Sequence, residues 1–406
     1  MSGWLIASAS LLAAAASVAL AGEPVQSWPL DETTEVALVE DRRAALVDVI
    51  LQFPVGSWSP WAMAHGAKEA FEIQSYDPAS RLRARADELA ADLVLSMGPF
   101  TSSLRASCRK QDLPAVLELI RDVLSNADFD RKEILRWNQS RRIRWRSRLK
   151  EPRFVSARAT ARRLYRSGDP RRIAYEKPHK LLTNVDRLVH VRNAIIRLPG
   201  RIIGFAGDLT RVEARRLSVG LLPAAMAASA EVPSELEPRF EPVTPASELT
   251  DGDTVRMGRI AQVFLRLGRP ESLTYADRDY PAFLIADHVL GGHFFSRLYV
   301  ALRHEQGDTY GTSTIDTGDV YSEPYALFTF TNPDNSRAAA NKLREVLRVL
   351  HEGGITEQER LEAAGFLRGR RAFSRQHPAQ TLRRHLWERR HGFPPGFFDE
   401  LTETAA

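Results

Sequence analysis

LGGHFFSRLYVALRHEQGDTYG, Leu290 to Gly311, is the stretch whose reading decides the fold. The Gly291-Gly292 pair follows a helical pattern, Pro281 to Leu290, and marks a turn that needs permissive backbone dihedrals. Phe295 to Arg303 resumes apolar residues at helical spacing. Arg303 and Tyr310 then stand seven residues apart around a Gly-containing turn. Outward from this block, Ala261 to Leu267 predicts a strand before it, and Thr312 to Thr317 and Ala326 to Thr331 predict two after it. Helices follow at Ser336 to Leu350, at Thr356 to Ser374 and around Gln380 to Arg390. Thr356 with Glu359 three residues on is a capping-box pattern.

A similar order occurs earlier in the chain. Glu35 to Trp58 predicts two strands with a turn near Asp41-Arg42, and helices are expected at Ala64 to Glu72 and Ser80 to Ser96. Thr101 to Cys108 predicts a strand, followed by helices at Leu113 to Ser125, Arg131 to Leu149 and on to Tyr165. Ile195 to Leu198 and Ile202 to Phe205 predict strands, and Arg211 to Leu221 a helix. Between the halves, Glu231 to Asp253 is rich in Pro, Glu, Ser and Thr, a linker composition. The expected architecture is therefore two homologous α+β domains, each a mostly antiparallel sheet packed against helices, at 30–230 and 254–406, with a linker at 231–253. Half one runs past its matching helix into the strand ending at Phe205, whereas half two stops at Ala406, so the second domain is expected to be truncated at its C-terminus. A partner covering the open edge would remove an aggregation liability.

Bulk properties narrow the classes. At 406 residues the chain suits two or more domains, and an apolar fraction of 44% is that of a folded globular protein. One cysteine, Cys108, excludes an intrachain disulfide framework and a Cys-based zinc site. Residues 1–21 carry an apolar run ending in Ala19-Leu20-Ala21, an A-x-A pattern that predicts a cleaved signal peptide and export to a bacterial periplasm. The net charge is +5, with Lys and Arg crowded between Arg131 and Arg172 against only Glu133, Glu151 and Asp169. That cluster suits a solvated helical face or a wall for acidic peptides, and no nucleic-acid-binding module accompanies it.

The block at 290–311 resembles one in the insulinase/pitrilysin/mitochondrial processing peptidase superfamily, where it reads close to LGGGxxSRLxxxLRExxGLxY. FDRKEILRW, KEPRFVSARATARRLYRSGDP, IIGFAGDLT and FLRLGRPES add to the resemblance, which covers the chain from about Glu35 onward. It implies the bacterial branch with two homologous domains per chain. In that family the Arg and Tyr of the block hold the substrate, which assigns substrate binding to Arg303 and Tyr310. Here Asp308-Thr309 replaces the usual Leu-Ala, and His293 replaces a loop glycine.

Active members carry an inverted zinc motif, H-x-x-E-H, with a ligand Glu about eighty residues further on. Two His and a carboxylate leave an open position on zinc, and the motif's Glu is the general base. The matching stretch here is AMAHGAKEAFE. His65 stands at the first histidine, Lys68 at the base, Glu69 at the second histidine and Arg144 near the distal ligand. Two of these are cations that repel Zn²⁺, so the zinc site is degenerate, no metal is expected on this chain, and His65 is expected to be a hydrogen-bonded helix residue. His288 and His293 are expected as turn and surface histidines. Family members can divide the site between two chains. The expectation is thus a non-catalytic, substrate-binding subunit, inactive alone, in a heterodimer with a homologous zinc-motif-bearing subunit that acts on an unstructured peptide. The alternative is a catalytically inert scaffold with a peptidase-like fold.

Overall fold

The computed structural model describes residues 25–76, 81–126, 129–177, 184–222, 232–244, 252, 254–258, 261–304, 309–315 and 319–405. The expected signal peptide at 1–21 lies outside them. Contacts divide the chain into two units, and neither follows the stretches 30–230 and 254–406. The first joins Met1–Ser140, Lys180–Arg239 and Ala372–Pro395; the second joins Arg141–His179, Phe240–Arg371 and Gly396–Ala406.

The first half of the chain supplies β1 (Gln26–Pro29), β2 (Thr34–Glu40), β3 (Leu46–Phe53), α1 (Pro60–His65), α2 (Ala67–Tyr76), α3 (Arg81–Glu88), β4 (Asp92–Met97) and β5 (Ser102–Arg109). It continues through α4 (Leu113–Ser125), α5 (Arg131–Arg148), α6 (Pro152–Leu164), α7 (Pro170–Ile173), α8 (Val185–Ile196), β6 (Arg201–Gly207) and α9 (Arg211–Ser218). The strand order is β1-β2-β6-β3-β5-β4, antiparallel throughout except for the parallel β2–β6 pair.

Strand alternation sends Val36, Leu38, Val49, Leu51, Leu104, Ile203 and Phe205 to one face, against Val116, Ile120 and Val123 of α4 and Val191 and Ile195 of α8. The end of α4 is tied down by Arg192, which is fully buried and donates from Nη1 to the Leu124 carbonyl at 2.7 Å and from Nη2 to the Val123 carbonyl. The opposite face shows Ala37, Val39, Ile50 and Ala206, and it is sealed by Ala379, Leu382 and Leu386 of a helix from the far end of the chain, Pro378–Arg390. That helix lies so close that a Cβ on Gly204 would stand 2.9 Å from Leu382.

The second half supplies β7 (Val263–Arg269), α10 (Tyr280–Gly291), α11 (Arg297–Tyr299), β8 (Thr309–Ile315) and β9 (Tyr325–Thr331). These are followed by α12 (Ser336–Gly353), α13 (Glu357–Ser374), α14 (the Pro378–Arg390 helix) and α15 (Phe397–Ala405). Its antiparallel sheet runs β7-β9-β8. Leu290, Leu298, Leu302, Leu327, Ala339 and Leu343 form the core between this sheet, α10, α11 and α12. Within the same unit α6 lies on β7, and the RSGDP turn that follows it is anchored by a buried pair: Asp169 caps α7, and Arg171 donates to it at 2.8 Å and to the carbonyls of Glu241 and Ser322. Each unit therefore incorporates helical segments from the other half of the sequence, α14 in the first and α6, α7 and the end of α5 in the second.

Three element expectations are corrected. Ser80 to Ser96 is not one helix: α3 ends at Glu88, and Asp92–Met97 pairs with β5 as an edge strand. Ile195 to Leu198 is the end of α8 rather than a strand, because Ile195 and Ile196 complete that helix's buried face. The described part of the predicted linker, 232–244, is laid onto the protein: Ser59 donates to the Glu235 carbonyl at 3.1 Å, Arg390 pairs with Glu237 at 2.9 Å, and Thr244 donates to the Leu164 carbonyl at 2.9 Å.

Candidate functional site

The block at 290–311 is built from α10, a turn, α11 and β8. Gly291 and Gly292 do not sit in left-handed backbone, which corrects the expectation of a dihedral requirement: neither has a positive φ, and Gly292 has φ −80° and ψ −9°. Close approach is the reason for glycine. A Cβ on Gly291 would stand 2.6 Å from the backbone nitrogen of Thr314 in β8, and one on Gly292 would stand 2.7 Å from the Cα of His288.

After the turn, α11 continues into a wider π-type turn, Val300–His304, of the kind often found at functional positions. Leu298 and Leu302 anchor this helix in the core. Arg297 fixes its start, donating from Nε and Nη2 to the Glu359 carboxylate, each at 2.7 Å, and from Nη2 to the Gly354 carbonyl at 2.9 Å. The Arg297 guanidinium holds the Glu359 carboxyl down at about 2. Glu359 also completes the expected capping box with Thr356.

Arg303 emerges exposed from the π-type turn and donates from Nη1 to the Thr309 carbonyl at 2.7 Å. This bond ties the helix end to the residue before Tyr310. In β8 the register slips at that point: Thr309 pairs with Thr331 and Gly311 with Phe330, so Tyr310 is the extra residue of a β-bulge. Bulges re-aim side chains and recur beside active sites. The bulge is pinned from below. Thr309, 1% exposed, has its hydroxyl 2.6 Å from the Phe330 carbonyl and 2.9 Å from the Thr329 hydroxyl, and it accepts from the Gly311 amide at 3.1 Å. The Tyr310 side chain and residues 305–308, including Asp308, lie outside the described residues.

In the first half, His65 and Lys68-Glu69 fall on different helices. α1 ends at His65 with Gly66 as its left-handed cap (φ 73°), and α2 begins at Ala67, so the one-helix spacing that would bring two ligands together is broken. His65 Nδ1 is 2.8 Å from the Trp61 carbonyl and its ring stacks on the Trp61 ring at 5.2 Å, as a hydrogen-bonded helix residue. The Lys68 ammonium faces Glu72 at 3.8 Å. Glu69 is half-buried on α2, and Arg144 is exposed on α5. These groups do not fit a zinc ion. Among the described residues no three His, Cys, Asp or Glu side chains form a group that could hold a metal.

His288 and His293 correct another expectation. His288 is 8% exposed, not a surface residue, and its ring is sandwiched between His293 at 4.5 Å and Phe366 at 4.2 Å. Burial, with His293 and Arg370 nearby, pushes the His288 imidazole down to about 4, so it sits neutral in the stack. Sequence spacing missed this stack, the Arg297–Glu359 pair and the Thr309 pin. Only the capping box announced Glu359.

Residues 204–364 match the family model of the peptidase M16 inactive domain. A peptidase M16 inactive domain from Pseudomonas fluorescens shares the fold at TM-score 0.75 and 18% identity, over 94% of this chain and 91% of that one. A protease from Helicobacter pylori does so at TM-score 0.76 and 13% identity, over 94% and 96%. The periplasmic protease PqqL from Escherichia coli matches at TM-score 0.69 and 14% identity, over 95% of this chain but only 44% of PqqL. No curated protein sequence matches the chain. Among the described residues no helix is long and apolar enough to cross a membrane.

Proposed function

We propose that this chain is the non-catalytic, substrate-binding subunit of a heteromeric periplasmic zinc metallopeptidase. It supplies Arg303 and Tyr310 to a site whose zinc is held by a homologous partner bearing the intact motif, and the substrate is an unstructured peptide. The observation that carries this reading is the Arg303–Thr309 bond at the bulge. It holds a guanidinium beside the residue that the sheet ladder has released. A guanidinium keeps its charge at any working pH, and with a phenol it can anchor a peptide backbone and stabilise a developing oxyanion.

The test is peptide cleavage by this chain alone, by the zinc-motif subunit alone, and by the mixture. Activity is expected only in the mixture. Arg303→Ala is expected to lower it by about 10²-fold, the effect of deleting one oxyanion donor. Tyr310→Phe is expected to lower it with the complex still assembled. Activity from this chain alone overturns the proposal. A stable complex indifferent to both substitutions replaces it with the inert scaffold.

A further inference from the structure

The turn between α10 and α11 presents two phenyl rings to solvent. Phe294 is 70% exposed and Phe295 76%, and neither belongs to a hydrophobic cluster of the second unit. Exposed aromatic pairs of this kind mark interaction sites rather than folding contacts.

The turn that carries them is held in place. The Ser296 amide donates to the His293 carbonyl at 3.1 Å, and the Phe295 amide donates to His293 Nδ1 at 3.2 Å. The His293 ring lies on His288, which lies on Phe366, and Gly292 lets the turn settle against His288. The backbone of the phenyl pair is therefore ordered before anything binds, which lowers the cost of using the rings as anchors.

The pair is continuous with the substrate block. Phe294 packs edge-on against Tyr299, ring centroids 5.2 Å apart. Tyr299 stands four residues before Arg303, across the π-type turn, a step of about 5–6 Å. Phe294, Tyr299 and Arg303 are thus linked by two short steps that together span at most roughly 11 Å, about three residues of extended peptide.

We propose that this set reads the side chains of a bound peptide. With the peptide backbone at Arg303, Phe294 and Phe295 receive a large apolar side chain about three residues away. The substrate class is unstructured peptides carrying an aromatic or large aliphatic residue at that spacing. This rests on the assignment of Arg303 to substrate binding. Size favours a peptide over a second copy of the chain: two phenyl rings offer about 300–500 Å², short of the roughly 800 Å² per partner of a stable interface.

The experiment measures fluorescence anisotropy of fluorescein-labelled twelve-residue Gly/Ser/Asn peptides, with one Phe or none, titrated with the full chain. A Phe peptide is expected to bind about 10-fold or more tighter than the Phe-free control. The double variant Phe294→Ser/Phe295→Ser is expected to erase that difference and leave the control unchanged, with an unaltered melting temperature. Arg303→Ala is expected to weaken both peptides alike. A Phe preference that survives the double variant overturns the proposal, and so does the absence of any Phe preference. A dimer by sedimentation equilibrium that the double variant turns into monomer overturns it in favour of self-association. If Arg303→Ala changes neither peptide while the double variant still erases the preference, the apolar subsite stands and the role given to Arg303 fails.

Discussion

The two units share one arrangement and use it differently. β3-β5-β4 in the first and β7-β9-β8 in the second have the same order, with helices between the first strand and the last in each. In the first, those helices are α1, α2 and α3, with the break between α1 and α2 at left-handed Gly66. In the second they are α10 and α11, joined at a glycine pair with no positive φ and finished by a π-type turn. The first unit adds β6, β2 and β1 and seals both faces of its sheet, and on α1 and α2 it carries the stacked His65 imidazole and the oppositely charged neighbours Lys68 and Glu69. The second unit has the smaller sheet, yet its block pins a guanidinium beside a bulged tyrosine position. Packing residues carry the fold in both halves; the chemistry at equivalent places is free to go its own way.

Five substitutions press on this comparison, taken from the largest expected effect downward. Leu382→Ala removes the plug on the outer face of the first sheet and should cost about 2–5 kcal/mol, read from denaturant midpoints. A cost near zero would mean that the face does not depend on the exchanged helix. Gly291→Ala puts a methyl against the Thr314 backbone and should cost about 1–3 kcal/mol, whereas Gly168→Ala, with open space around it, should cost only the strain of its positive φ.

Glu359→Gln should cost about 1 kcal/mol at pH 7, a value reduced because both partners are partly solvated. The carboxyl is held at about 2, below its usual 4.5, so its contribution is present above pH 4.5 and is lost as pH falls towards 2. The variant should flatten stability in that window. Asp319 has the opposite sign. Burial, with Glu323 adding to it, lifts its carboxyl to about 6 from 3.8, so stability is full below pH 3.8 and declines as pH rises to 6. Asp319→Asn should gain about 1 kcal/mol at pH 7 and remove that decline.

Much of this was legible in residue patterns. Alternation in Val47 to Phe53, the buried stripe Val116, Leu117, Ile120, Val123, Leu124, and Thr356 with Glu359 each state a local rule that the fold obeys. The failures are places where distant partners decide. Asp92 to Met97 follows helical residues without a break in apolar content, and only pairing with β5 makes it a strand. Gly291 and Gly292 are required by what packs on them, which no dihedral rule reveals. At the candidate site the family block pointed to Arg303 and Tyr310, but Thr309, an ordinary residue at sequence level, is what holds their backbone together.

The exchanged helix also sets a timetable. Leu382 follows Ala37, whose face it covers, by 345 positions. At synthesis rates of about 5–20 residues per second, that interval is some tens of seconds. For all of it Ala37, Val39 and Ile50 lack the helix that covers them, so the first unit cannot close until its last segment, Ala372–Pro395, has been made. The first strands made are thus among the last to be covered, and the first unit closes only near the end of synthesis.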